Sequence, residues 1–204
     1  MNYLANAATF LIQVAFGFFI GLFLVRVLLI AVGASFYDPI CRFVYQLTNP
    51  VITPLRRFVP RWRNIEIASL LVAYVIIAIQ WLLFVGLFGV PLSIGGVLLR
   101  ALIDLLDWGV LIQLVAIFGF CILSFFPAAR YDSNFRLLDQ FTAPIVRPFR
   151  RMVPPLGGLD FSCWFASIAL ILARMLVIAP LESLQRRWWA GWLGLRRIVG
   201  SGHS

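Results

Sequence analysis

Apolar residues run along this chain in four long blocks broken by shorter polar stretches. A bilayer span takes about 20 largely apolar residues, and each block is long enough. The first runs from about Thr9 to Ala34 and is interrupted only by Arg26. The second starts near Ile67 and meets no charge before Arg100. That is too long for one straight span, so Gly86, Gly89 and Pro91 predict where its helix ends. The third lies between Asp107 and Arg130, with room for an amphipathic turn before it at Leu98–Leu106. The fourth runs from Phe161 to about Leu181, contains Arg174, and is expected to stop at Pro180. No basic residue precedes the first block, and the block exceeds an ordinary signal core, so it reads as a retained span.

Between the first two spans the pattern changes. Asp38-Pro39 is a helix start, with a carboxylate at the N-cap and proline at the first helical position. Ile40, Phe43, Val44 and Leu47 then recur at helical spacing and predict one apolar face. Thr48-Asn49-Pro50 predicts a new turn, and Pro54 and Pro60 bracket a second short segment, Leu55–Val59. Neither piece is long enough to span. Both suit the interface, with apolar groups toward the acyl region and arginines at headgroup level.

The same design returns further along the chain. Residues 46–60, QLTNPVITPLRRFVP, align without a gap on residues 140–154, QFTAPIVRPFRRMVP. Tyr37-Asp38 likewise aligns with Tyr131-Asp132, Arg42 with Arg136, and Glu66 with Asp160. One constant offset carries every match, which predicts an internal duplication. Each copy holds two spans, an even number, so both copies enter the membrane from the same side. The expected fold is therefore an all-α membrane protein of about four transmembrane helices. They form two parallel span-loop-span repeats, 1–94 and 95–182, with short amphipathic interfacial helices. A basic, tryptophan-rich interfacial tail follows at 183–204. This differs from the inverted pair common in alternating-access transporters.

Composition agrees. Hydrophobic residues make up 62% of the 204 positions and charged ones 12%, against about 45–50% and about 25% in soluble domains. The net charge is +9, and every basic residue is arginine. Ten arginines fall in the two Pro/Arg loops: Arg42, Arg56, Arg57, Arg61 and Arg63, then Arg130, Arg136, Arg147, Arg150 and Arg151. The positive-inside rule places those loops in the cytoplasm, although four arginines in the tail pull the other way.

Chemistry is sparse. The only histidine is His203, and Cys41, Cys121 and Cys163 form no CxxC pair. Bis-His haem, a His-based zinc site and a Ser-His-Asp triad lack their residues. No GxSxG, GxxxxGK[ST], HExxH or Rossmann pattern occurs. No enzymatic activity and no cofactor are expected. Gly17 and Gly21 form a GxxxG in the first span, a pattern suited to close helix packing.

Candidate sites remain in three groups. Arg56, Arg57, Arg150 and Arg151 are candidates for docking anionic headgroups or an acidic partner, since guanidinium binds phosphate bidentately. Pro50, Pro54 and Pro60, with Pro144, Pro148 and Pro154, would hold the docking shape. The alternative is a plain topology signal with nothing bound. Intramembrane charge forms the second group, because charge at that depth defaults to a function with a named partner. Arg26 lies about 12 Å from the loop side, within reach of Glu66 or Asp160, or able to snorkel. Glu66 and Asp160 also suit simple helix capping. Arg174 has Asp104, Asp107 or Glu182 within reach. The third group is the tail, where Trp188, Trp189 and Trp192 between arginines read as an interfacial anchor, and nucleic-acid binding is not expected.

The two copies of P-x3-P-x-R-R-x-V-P, each followed by an acidic residue and an apolar span, resemble the YggT family of small bacterial inner-membrane proteins, which has plastid relatives. The likeness extends to Leu24-Val25-Arg26-Val27 and to Gly157-Gly158-Leu159-Asp160-Phe161-Ser162. It does not extend to Arg174 or the tail. The resemblance implies a multi-pass protein of the bacterial inner membrane, with links to osmotic tolerance and cell division among bacterial members, and to cytochrome assembly and nucleoid distribution among plastid ones. Two functions are therefore expected in competition. One is a non-enzymatic scaffold or assembly factor that docks a protein partner, a second copy of itself or anionic lipid through its Pro/Arg loops. The other is a small oligomeric channel or transporter for ions, with Arg26 and Arg174 along the path.

Overall fold

The computed structural model describes residues 3–33, 39–55, 66–89, 93–124, 133–152 and 162–200. Among the described residues every regular element is a helix: α1 (Tyr3–Val32), α2 (Pro39–Leu55), α3 (Ile67–Phe88), α4 (Ile94–Ser124), α5 (Ser133–Met152) and α6 (Ser162–Gly200). Four of them are long and apolar enough to cross a membrane: Asn6–Val32, Ile67–Leu87, Ile94–Ser124 and Ser162–Leu181. Their outward faces carry large apolar side chains, such as Phe10 and Val14 on α1 and Trp164, Leu172 and Leu176 on α6. In water such a surface would aggregate. In a bilayer it meets acyl chains.

The helices pack as two like triplets. In the first, α1 packs on α3 and α2 lies against both; in the second, α4 packs on α6 and α5 lies against both. The triplets meet through α3 on α4, with α1 also touching α4 and α5. Each contact region has its own apolar core. Ile20, Phe23, Ala73, Ile77 and Ala101 join α1, α3 and α4. Leu29, Val44, Ala116 and Phe141 join α1, α2, α4 and α5. Ile117, Phe120, Val146 and Ala166 join α4, α5 and α6.

Helix ends follow local chemistry in two places. Gly33 and Gly89 close α1 and α3 with φ of 72° and 62°, a left-handed conformation that glycine adopts without a Cβ clash. Gly89 thus ends the second span where the sequence suggested. The third span starts earlier than Asp107, because Ile94–Ser124 is one uninterrupted helix that takes in Asp104 and Asp107.

One expectation about proline is corrected. The turn predicted at Thr48-Asn49-Pro50 does not form: α2 continues through Pro50 and Pro54, and α5 continues through Pro144 and Pro148. Each proline removes one donor from the carbonyl four residues earlier. Those carbonyls belong to Gln46, Pro50, Gln140 and Pro144, all on the exposed side of their helices, where outside donors can reach them. The fourth span ends at Leu181, as expected from Pro180, while α6 itself runs on to Gly200. On α2 the predicted apolar face splits, with Val44 inward and Ile40, Phe43 and Leu47 outward toward the acyl region expected for them. Cys41, Val44, Tyr45, Thr48 and Ile52 are buried, while Ile40, Phe43, Leu47 and Val51 point outward. The inward face is the one holding Tyr45 and Thr48, and the reason is the charge it packs against.

Candidate functional site

Arg26 sits on the inner side of α1 with no exposed surface. A buried guanidinium is stable only where its N–H groups find acceptors. Two other helices supply them. From the head of α3, Glu66 accepts from Arg26 Nε at 2.7 Å and from Nη2 at 3.3 Å. From α2, Thr48 Oγ1 and Asn49 Oδ1, at 3.0 Å, accept from Nη1. The Tyr45 ring lies beneath, 4.7 Å from the guanidinium carbon, a favourable cation–π placement. Tyr45, Thr48 and Asn49 fall at i, i+3 and i+4, one helical face. That face must turn inward if Arg26 is to be satisfied, which explains the rotation of α2.

The acceptors are themselves held. Thr48 Oγ1 donates to the Val44 carbonyl at 2.6 Å, and Ser69 Oγ donates to Glu66 Oε2 at 2.6 Å. Glu66 occupies the N-cap position of α3, but its side chain makes no capping hydrogen bond. Glu66 thus stands at the head of α3 and also takes the partnership with Arg26. Asp160 lies outside the described residues.

A second charge cluster joins α3 and α4. Arg100 pairs with Asp104 at 3.1 Å and lies 5.3 Å over the Trp81 ring. Trp81 Nε1 donates to Asp104 Oδ2 at 2.7 Å. The third ion pair joins α4 and α6: Arg174 donates through Nε and Nη2 to the two carboxylate oxygens of Asp107, at 2.5 and 2.9 Å. Of the acids expected within reach of Arg174, Asp107 pairs with it, and the Glu182 side chain lies outside the described residues.

The docking candidates separate. Arg56, Arg57, Pro60 and Pro154 lie outside the described residues. Pro50, Pro54, Pro144 and Pro148 sit on the exposed sides of α2 and α5. Arg150 turns inward, pairing with Asp139 at 2.9 Å and lying 5.1 Å over the Phe120 ring. Its neighbour Arg151 faces outward, as do Arg136 and Arg147 on the same helix. Arg136, Gln140, Arg147 and Arg151 follow one another at steps of four, seven and four, so they form one stripe.

Sequence reading missed two features. The ring-and-hydroxyl cradle of Arg26 was legible only as a spacing of polar residues inside a helix expected to break. A cleft between the triplets had no sequence signal. It encloses about 860 Å³, and its walls include Leu24 and Leu28 of α1, Leu102 and Leu106 of α4, and Arg147 of α5. Among the described residues no group of acidic, histidine and cysteine side chains has the arrangement of a metal site, and the three cysteines form no disulfide.

Comparison with known proteins gives a consistent answer. A model of the CCB3/YggT family matches residues 5–88 and again 99–181. An uncharacterized protein of Pseudomonas aeruginosa is 33% identical over 189 residues, covering 89% of this chain and 93% of that one. An uncharacterized protein of Vibrio alginolyticus is 32% identical over 196 residues, covering 86% and 97%. Escherichia coli YggT, also described as uncharacterized, is 31% identical over 195 residues, covering 93% and 100%. No solved structure matches the chain.

Proposed function

The chain belongs to the CCB3/YggT family, and from that premise we propose that it is a non-enzymatic scaffold of the bacterial inner membrane. In this reading its two duplicated halves lie parallel in the bilayer, and α2 and α5 sit at the cytoplasmic interface as docking helices for a protein partner. The scaffold would support envelope organisation, cell division or osmotic tolerance.

One observation carries the reading: charges within the spans are paired with one another, while the outward arginines of α5 have no ion pair among the described residues. Arg26 has Glu66, Arg100 has Asp104 and Arg174 has Asp107. A pore needs charge or polarity left open along a path, and these pairs close theirs. Arg136 and Arg151 face outward with no carboxylate against them among the described residues. Outward guanidinium groups on one helical stripe suit an acidic surface. The outward apolar stripe of α2, Ile40, Phe43, Leu47 and Val51, suits the acyl boundary beside it.

The test is charge reversal of Arg56, Arg57, Arg136 and Arg151 to Glu in a strain whose own copy is deleted. Membrane insertion should stay normal while growth under osmotic stress falls to that of the deletion strain. Full complementation by the reversed protein ends this reading. In liposomes containing only this protein, ion flux should equal that of empty liposomes; flux above that level favours the channel.

A further inference from the structure

The cleft between the two triplets joins a deep apolar pocket to one cation. Its walls come from the last turns of α1, the middle of α4, and α5, with Leu70 of α3 and Leu170 of α6. The polar groups among them gather at one end. Gln113 Nε2 donates to the Phe141 carbonyl at 2.9 Å, so α5 crosses α4 near Gln113. Gln140 and Arg147 of α5 flank that crossing. From Gln113 the cleft runs back along α4 to Leu102, eleven residues or about 17 Å of helix, walled by leucine, valine and glycine. Its volume of about 860 Å³ lies within the usual range for a ligand site, about 300–1,000 Å³.

Arg147 lines this cleft, faces outward, and has no ion-pair partner among the described residues. Its neighbour Arg150 is already committed to Asp139. A cation at the mouth of an apolar slot, set in a membrane, asks for an anionic head joined to a hydrocarbon tail. Guanidinium favours phosphate because its planar fork meets two oxygens at once.

We propose that this cleft is a binding site for one anionic phospholipid, with the headgroup phosphate on Arg147 beside Gln140 and one acyl chain along α4 toward Leu102. The site takes Gln140 and Arg147 from the α5 stripe but is defined by the cleft, whereas docking rests on Arg136 and Arg151 at the ends of that stripe. Lipid bound there would fill the gap between the two triplets and join them.

Gly109 offers a clean probe. It lines the cleft, and a Cβ built on it meets nothing within 4 Å. A large side chain there should fill the slot without striking the helices. Full-length protein in mild detergent is mixed with phosphatidylglycerol or with phosphatidylcholine of the same chains. Native mass spectrometry then reads the one-to-one adduct. The wild type should retain phosphatidylglycerol at least fivefold better than phosphatidylcholine. Arg147→Gln should bring the two lipids level, and Gly109→Phe should reduce both at least fivefold. Arg136→Gln, and the pair Arg136→Glu with Arg151→Glu, should leave the adduct unchanged, which separates this site from the docking reading. Each variant is first checked for a single species and an unshifted melt, with Gly109→Leu used where phenylalanine does not fold. Equal retention of both lipids by the wild type overturns the site. So does a phosphatidylglycerol adduct that survives Arg147→Gln and the Gly109 variant, or a neutral isoprenoid quinone that displaces the lipid equally well from wild type and Arg147→Gln.

Discussion

Arg26 of α1 and Glu66 at the head of α3 meet in a two-point ion pair with both side chains withdrawn from the surface. The pair fixes more than two helices. Because Thr48, Asn49 and Tyr45 complete the shell around the same guanidinium, it also sets the rotation of α2.

Removing one partner strands the other. Breaking a buried pair costs about 3–5 kcal/mol, while replacing both members by apolar groups is often neutral. Arg26→Leu and Glu66→Leu should each lower the yield of folded protein sharply, and the double variant should recover much of it. Detergent-solubilised yield and thermal melts measure this. Normal yield from Arg26→Leu alone, with cellular function lost, would move Arg26 from structure to mechanism.

The α2 face gives a finer test. Thr48→Ser keeps the hydroxyl and should be tolerated. Thr48→Val keeps the shape but withdraws an acceptor from a buried cation, a loss of about 1–3 kcal/mol. The expected melt order is wild type, then Thr48→Ser, then Thr48→Val. If valine equals wild type, the hydroxyl is not part of the Arg26 shell.

Gly17 and Gly21 should behave differently although they share one sequence pattern. A Cβ on Gly17 comes within 3.2 Å of two Trp108 ring carbons, while one on Gly21 meets nothing within 4 Å. Gly17→Leu should force α1 from α4 and lower the melt. Gly21→Leu should leave it near wild type. Equal effects would contradict the packing of Trp108 on α1.

Asp107 and Arg174 face outward within an apolar stretch, with side chains 28% and 44% exposed. An unpaired charge at the centre of a span opposes insertion by about 2.5–3.5 kcal/mol. Arg174→Leu alone or Asp107→Leu alone should therefore reduce membrane insertion, and the double variant should restore it. A protease-protection or glycosylation-tag assay reads the inserted fraction. Single variants that insert as well as wild type would remove the pair from the account of the fold.

Much of this architecture was legible in the sequence because membrane burial speaks in long runs. The four spans follow from hydropathy alone, and Gly89 marks one end through its left-handed backbone. The Arg26 pairing was legible in part: depth named two acids, and the fold brings Glu66. Proline misled, because the breaking rule counts the lost donor but not where the freed carbonyl lies. On the exposed side of α2 and α5 that loss is small, so the helices continue. The apolar stripe of α2 was legible, since helical spacing and the interface together set it toward the acyl region. In water Ile40, Phe43 and Leu47 would turn inward, but beside lipid they can face out, which releases the inner face for Arg26. The split between Arg150 and Arg151 needs coordinates, since neighbours in a helix differ by about 100° in direction.

The claim at the centre of this account is that the outward arginines of α5 engage a protein partner. Its most direct test is photo-crosslinking in intact cells from position 148, on the exposed side of α5, in wild type and in the Arg136→Glu, Arg151→Glu background. A recurrent protein adduct, of one identity by mass spectrometry, is expected to form and to disappear when the two charges are reversed. Adducts with lipid alone, or a protein adduct indifferent to the reversal, would contradict it.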